Sequence, residues 1–233
     1  MSLRDELTST VTSVFRDRWT VSDTDGVPDP EDLLLGSNDA VRLEEATILY
    51  ADMDGSTNMV ASQRWSFSAE VYKCYLHCAG QLVRHNDGSI TAYDGDRIMA
   101  VFVGTSKNTN AVTCAFNIND AVINIINPAL KKKYPETSFQ LKHVVGIDCS
   151  EIYAARTGVR KDNDIVWVGR AANYAAKLAA LPSTHAIRIT SRVYNVMGKS
   201  VKHRLDNTAI PWEPVTWNAT GETIYRTNYW RKP

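Results

Sequence analysis

Apolar residues recur along this chain with two periods, and each change of period marks the edge of an element. Leu3, Leu7, Val11, Val14 and Phe15 stand three or four apart, which predicts a helix over residues 3–19. Residues 22–37, with Gly26, Pro28, Pro30 and several acids, read as a connector. Ala46, Ile48, Leu49 and Tyr50 then make a short apolar run stopped by Asp-Met-Asp-Gly, so residues 44–52 are predicted to form a buried strand. Phe67, Val71, Cys74, Tyr75, Cys78 and Leu82 return to the helical period over 67–82. Apolar runs at 89–93 and 97–103 flank Asp94-Gly95-Asp96, a hairpin signal of the type I′ kind.

The second half continues in the same alternation. A helix fits 110–126, closed by Pro128; strands fit 140–147, 151–155 and 165–168; a helix fits 170–181, then a strand 186–190 and a helix 191–197. Strand, helix, strand, strand, helix, strand is the order of an α+β fold of the ferredoxin-like kind, an antiparallel-rich sheet covered by helices. The tail 212–230, rich in Trp, Tyr and Thr, reads as terminal strands. The expected organisation is a helical arm and connector over 1–45, a main body over 46–200, and strands over 201–233 that complete it.

Charge narrows the function. The 233 residues carry 26 Lys plus Arg against 26 Asp plus Glu, a balance that recommends neither nucleic acid nor an anionic membrane as partner and leaves a small-molecule site. Acids follow the first residues where a signal peptide has basic ones, and no apolar run approaches transmembrane length, so the expected location is cytoplasmic. Cys74, Cys78, Cys114 and Cys149 have no metal-ligand spacing and read as buried thiols. The five histidines are scattered, and Lys131-Lys132-Lys133 reads as a solvated helix end.

Two acids carry candidate chemistry. Asp52 ends the first strand of the body and Asp96 stands in the hairpin turn; neighbouring strands would bring both carboxylates to one place, where hard oxygen ligands suit Mg²⁺ or Mn²⁺. By themselves they read equally as turn residues.

Around them a resemblance emerges. Tyr50-Ala51-Asp52-Met53-Asp54-Gly55-Ser56-Thr57 resembles the first metal motif of class III nucleotidyl cyclases, and Gly95-Asp96 followed by Ile98-Met99-Ala100-Val101-Phe102 resembles the second. Gly146-Ile147 with Glu151 is similar to that family's next strand, and Gly169-Arg170-Ala171-Ala172-Asn173-Tyr174-Ala175-Ala176-Lys177-Leu178 to its catalytic helix. The resemblance covers about residues 46–200, in order and in spacing.

It implies that a nucleoside triphosphate loses pyrophosphate as its own 3′ oxygen attacks the α-phosphorus, in a site with two divalent ions, Mn²⁺ or Mg²⁺. Asp52 and Asp96 would bridge both ions, with the Met53 carbonyl on one. Asn173 matches the residue that orients the ribose. Lys177, one helical turn on, stands where the family has its transition-state Arg; as a point charge without a fork it calls for help from Arg170 or Arg97. The family's triphosphate-gripping Lys lies in a C-terminal hairpin, and Lys199, Lys202 and Arg204 are the candidates. A homodimer is implied, with metal acids from one subunit facing Asn173 and Lys177 of the other.

The base pocket departs from the purine pattern. Ala92 and Val166 occupy the two adenine-reading positions, and neither can bond to the ring nitrogen or the amine. Tyr50 replaces the usual Phe and offers a phenol to a pyrimidine carbonyl. Asn163-Asp164-Ile165-Val166-Trp167-Val168-Gly169-Arg170 resembles the pyrimidine cyclases of bacterial anti-phage Pycsar systems, whose product activates a separate effector. UTP is the expected substrate and cyclic UMP the product. CTP, a purine nucleotide in an atypical pocket, a nucleotide-binding domain without activity, and an interaction module whose acids only cap strands are the alternatives. A domain without activity has no chemical reason to keep both acids, Asn173 and a basic residue at 177.

Overall fold

In the computed structural model, which describes residues 2–233, one sheet of nine strands runs through the molecule. Helix α1 (Leu3–Arg16) comes first, its start closed by reciprocal bonds between Ser2 and Asp5. Strand β1 (Thr20–Asp23) pairs in parallel with the start of β2 (Asp39–Asp54). The connector thus contributes a strand that the sequence pattern does not announce, because all four of its residues are exposed and it has no buried face. Strand β2 is longer than residues 44–52 and carries an irregularity between Leu43 and Ala46.

The main body follows as α2 (Ser56–Ser62), α3 (Trp65–His85), β3 (Ser89–Asp94), β4 (Arg97–Phe102), α4 (Lys107–Asp120), α5 (Asn127–Lys133) and β5 (Lys142–Val159). Then come β6 (Asp162–Val168), α6 (Arg170–Ala179), β7 (Ile187–Thr190), α7 (Ser191–Val196), β8 (Glu213–Thr216) and β9 (Thr223–Thr227). The sheet order is β3-β4-β2-β5-β7-β9-β8, with β1 beside β2 and β6 beside β5. Within it β2, α3, β3, β4, α4 and β5 make the ferredoxin-like unit, whose four strands pair antiparallel with one another.

Alternation in β2 divides the core. Leu49, Ala51 and Met53 point to the layer formed by α3 and α4, among Phe67, Tyr75, Ile98 and Phe116. Ile48 and Tyr50 point the other way, where Ala171, Ala172 and Ala175 of α6 pack with Met99 and Ile152. Small residues let α6 approach closely. At Gly146 of β5 an added Cβ would lie 2.5 Å from the Ala179 nitrogen, so only glycine fits.

Three expectations are corrected. Pro128 does not close the helix before it: residues Ala121–Ile126 widen into a π-helical turn and α5 restarts at Asn127, so Pro128 falls in a first turn, where its missing N–H costs least. The predicted strands 140–147 and 151–155 merge into one strand, β5, which begins at Lys142. The polar stretch Asp148-Cys149-Ser150 between them is buried rather than a turn, with Asp148 accepting from the Thr190 hydroxyl at 2.5 Å. Only Cys114 and Cys149 are buried thiols; Cys74 is exposed and Cys78 half-buried, and all four are free.

Beneath the sheet His143 is fully enclosed. Its Nε2 faces Asn119 Oδ1 at 3.1 Å, its Nδ1 has no partner, and burial pushes the ring down to about 4. Among the described residues no helix is long and apolar enough to cross a membrane.

Candidate active site

Asp52 sits directly across the ladder from Arg97, and Asp94 pairs with the same arginine from the other side. The hairpin between β3 and β4 therefore closes through Gly95-Asp96. Of these two only Gly95 has a positive φ, +61°, which rules out the type I′ turn that the Asp-Gly pair suggests. With Gly95 at the first loop position, Asp96 is carried back toward β2.

Electrostatics record the approach. Asp52 is pushed up to about 6, chiefly by burial and next by the charge of Asp96. Arg97 works in the opposite direction, its Nε 3.9 Å from Asp52 and its Nη2 3.6 Å from Asp94. Below, Tyr75 of α3 has no exposed surface and no partner for its hydroxyl. Burial, then the charges of Asp52 and Asp96, hold that phenol well above its ordinary value. A half-buried carboxylate raised by burial, with a second carboxylate close by, is suited to a divalent cation that would offset their charge. No cluster of three His, Cys, Asp or Glu side chains exists among the described residues. Further ligands to such an ion would be backbone, substrate phosphate or water, the usual habit of Mg²⁺. Met53 can offer its carbonyl, since its side chain is buried in the opposite face of the sheet.

Tyr50 and Ala92 lie on the face that carries Asp52. Both flank Met99 in the register, Tyr50 from β2 and Ala92 from β3, so they sit side by side over one wall. Burial raises the Tyr50 phenol, keeping it a hydrogen-bond donor at neutral pH. Val166 does not join them. It is 42% exposed on β6, and its neighbour Trp167 is the one that packs toward α6.

Asn173 and Lys177 occupy the outer face of α6, both exposed, while Ala172, Ala175 and Ala179 pack inward. The Asn173 amide donates only to the Gly169 carbonyl, at 3.3 Å. The charges that act on Asp52 include those of Asp96, Arg97 and Asp94, all of the neighbouring β3–β4 hairpin. The acids stand on β2 and in the β3–β4 turn, and the Asn-Lys pair stands on the exposed face of α6.

Arg170 is not free to help at a phosphate. Its guanidinium contacts buried Asp148 at 3.3 Å and Glu222 at 2.7 Å and covers the Tyr174 ring at 4.3 Å. Sequence reasoning passed over Asp148, Glu222 and Tyr75; an aspartate in the middle of the apolar run 144–152 was the available signal for the first. Lys199, Lys202 and Arg204 all precede the β8–β9 hairpin, and Lys202 and Arg204 lie over the rings of Tyr194 and Tyr229.

Comparison with known proteins identifies the family. Residues 39–211 match the family described as the adenylate and guanylate cyclase catalytic domain. A uridylate cyclase of Burkholderia cepacia is 51% identical over 231 residues, 99% of each chain, and one of Xanthomonas perforans is 46% identical over 233 residues, 99% of each. The crystal structure of the guanylyl cyclase Cya2 superposes with a TM-score of 0.67 at 18% identity, covering 82% of this chain and 95% of that one. The adenylyl cyclase CyaB from P. aeruginosa gives 0.64 at 17% identity, covering 80% and 94%.

Proposed function

The chain belongs to the adenylate and guanylate cyclase catalytic domain family and is a nucleotidyl cyclase; from that premise we propose that it converts UTP to 3′,5′-cyclic UMP and pyrophosphate. The observation that carries the reading is the likeness, over 99% of both chains, to proteins named uridylate cyclase. The pocket supports it: Tyr50 offers a phenol to a uracil carbonyl, while Ala92 gives the amine and ring nitrogen of adenine nothing to bond.

In the reaction the 3′ oxygen of UTP bonds to its own α-phosphorus, the bond to the bridging oxygen of pyrophosphate breaks, and the 3′-hydroxyl proton leaves to solvent. The fold family works with divalent cations, of which we assign two per site, Mn²⁺ or Mg²⁺, to Asp52, Asp96 and the Met53 carbonyl. Held there, such ions would supply charge to acidify the 3′-hydroxyl and to neutralise the triphosphate. Asn173 holds the ribose, and Lys177 meets charge developing at the α-phosphate. We read the site as completed by a second copy, the acids of one chain facing Asn173 and Lys177 of the other, as a homodimer with two shared sites. Arg97, beside Asp52 and Asp94, adds positive charge next to the acids in support of Lys177, and Arg170 positions α6. We place the reaction in the cytoplasm, in keeping with four free thiols, and read cyclic UMP as a messenger for a separate effector in anti-phage defence.

A panel of UTP, CTP, ATP and GTP with Mn²⁺, read by chromatography of the products, tests the assignment. UTP is expected to turn over at least about tenfold faster than either purine. Equal rates with ATP overturn pyrimidine selectivity, and preference for CTP moves the assignment to cytidylate cyclase. Tyr50→Phe is expected to lower UTP turnover several-fold while leaving stability unchanged.

A further inference from the structure

The even charge of the whole chain conceals a local excess. A cleft of about 1250 Å³ opens between the segment after β9 and the segment entering β8, and of the site residues named above only Arg204 lines it. Four Lys or Arg side chains border it, Arg204, Arg226, Arg231 and Lys232, against a single acid, Glu213. That acid is already engaged: Arg226 donates to both its oxygens, at 3.0 and 2.7 Å, and His185 Nε2 lies 3.2 Å from it. Arg204, Arg231 and Lys232 have no carboxylate within ion-pair distance among the described residues. The nearby Asp206 turns to its own loop and accepts from Thr208.

Two of these cations are held in place without being neutralised. Arg231 donates to the Ser200 and His203 carbonyls at 2.8 and 3.4 Å. Its guanidinium and that of Arg204 lie 5.8 and 5.7 Å from the centre of the Tyr229 ring. Trp230, between Tyr229 and Arg231 in the chain, lines the cleft and is 41% exposed. Among the described residues its indole packs on no other ring and under no cation.

We propose that this cleft binds a single-stranded nucleic acid, with Arg204, Arg231 and Lys232 on its phosphates and Trp230 stacked on a base. Fixed cations beside an unpaired ring are what a strand with splayed bases recognises, since each nucleotide brings one negative charge and one flat face. An acidic peptide would satisfy the cations and leave the indole with nothing to stack on. A duplex keeps its base faces inside the stack, out of reach of a ring in a cleft. Pockets that enclose a small ligand run to about 300–1,000 Å³, so a larger cleft open at the surface suits a segment of polymer passing through it.

Fluorescence anisotropy of labelled oligo(dT) and oligo(U) of about 12 nucleotides, titrated with the full chain, tests this. Both strands are expected to bind, with a slope of about −2 for log affinity against log salt, as three phosphate contacts on a single strand require. Trp230→Ala is expected to weaken binding at least about tenfold, and Trp230→Tyr to recover most of it. Lys232→Gln is expected to make the slope shallower by about 0.7. Both residues are exposed, and circular dichroism together with unchanged UTP turnover in the absence of oligonucleotide keeps loss of fold separate. No binding at about 50 mM salt overturns the proposal. So does binding that survives both Trp230→Ala and Lys232→Gln, which places the strand elsewhere. A poly-glutamate peptide bound as tightly as the strands, with Trp230→Ala without effect, assigns the cleft to an acidic protein segment. A duplex bound as tightly as the strands, also indifferent to Trp230, reduces the cleft to general attraction for phosphate, and either result overturns the single-strand reading.

Discussion

Arg170 lies with its Nε 3.3 Å from a carboxylate oxygen of Asp148, a residue with no exposed surface, yet neither atom completes a hydrogen bond there. The contact is an ion pair across the junction of α6 and the sheet, and its outer end is held by Glu222. Asp148 is raised by burial, against the pull of Thr190 and Arg170.

Arg170→Ala is expected to cost about 3–5 kcal/mol in urea unfolding, since it strands a buried carboxylate. The pair holds the element that presents Asn173, so the lysine variant is expected to recover part of both stability and rate. Full activity and stability in Arg170→Ala would reduce the contact to a passive one.

Asp52→Asn is expected to abolish product with Mn²⁺, a loss of roughly 1,000-fold or more, while the metal-free protein becomes about 1 kcal/mol more stable at pH 7. Its folded value of about 6 lies above the ordinary 3.8, so the folded state holds the extra proton between them. Metal-free stability is therefore present at low pH and falls as pH rises through that window, and Mn²⁺ restores it at pH 7. Differential scanning fluorimetry with and without Mn²⁺ reads both effects.

Mixing Asp52→Ala chains with Asn173→Ala chains is expected to restore activity that neither has alone. After full exchange about half the dimers are mixed and one of their two sites is intact, so roughly a quarter of wild-type activity returns. Background activity after verified exchange would place all four residues in one chain.

His143 gives the acid limb. Burial takes its folded value to about 4, below the unfolded 6.5, so its stabilising neutral state is complete above 6.5 and lost as pH falls toward 4. The change is about 3 kcal/mol. His143→Gln is expected to flatten stability between those pH values, and an unchanged slope would assign the acid limb to other groups.

How much of this was legible in the chain follows from where each signal lives. Periodicity marked α3 and α6 because each has one buried face, the runs flanking Asp94-Gly95-Asp96 marked β3 and β4, and the family resemblance pointed to the chemistry. Strand β1 was hidden because it buries nothing, and the continuity of β5 because Asp148 and Ser150 look like a turn until Thr190 and α6 are seen to bond them. The ties of Arg170 were hidden for another reason. Glu222 is 52 residues distant, and no local pattern announces a contact made by tertiary folding.

The close seat of α6 on β5 bears on how such an enzyme is switched. With backbone against backbone at Gly146, the helix has no layer of side chains to slide on and cannot rotate without lifting off the sheet. Asn173 and Lys177 move only when the whole domain moves. On the proposed shared-site dimer, each half-site is then a rigid jaw, and the adjustable quantity is the angle between two jaws, set by whatever hinges one copy against the other.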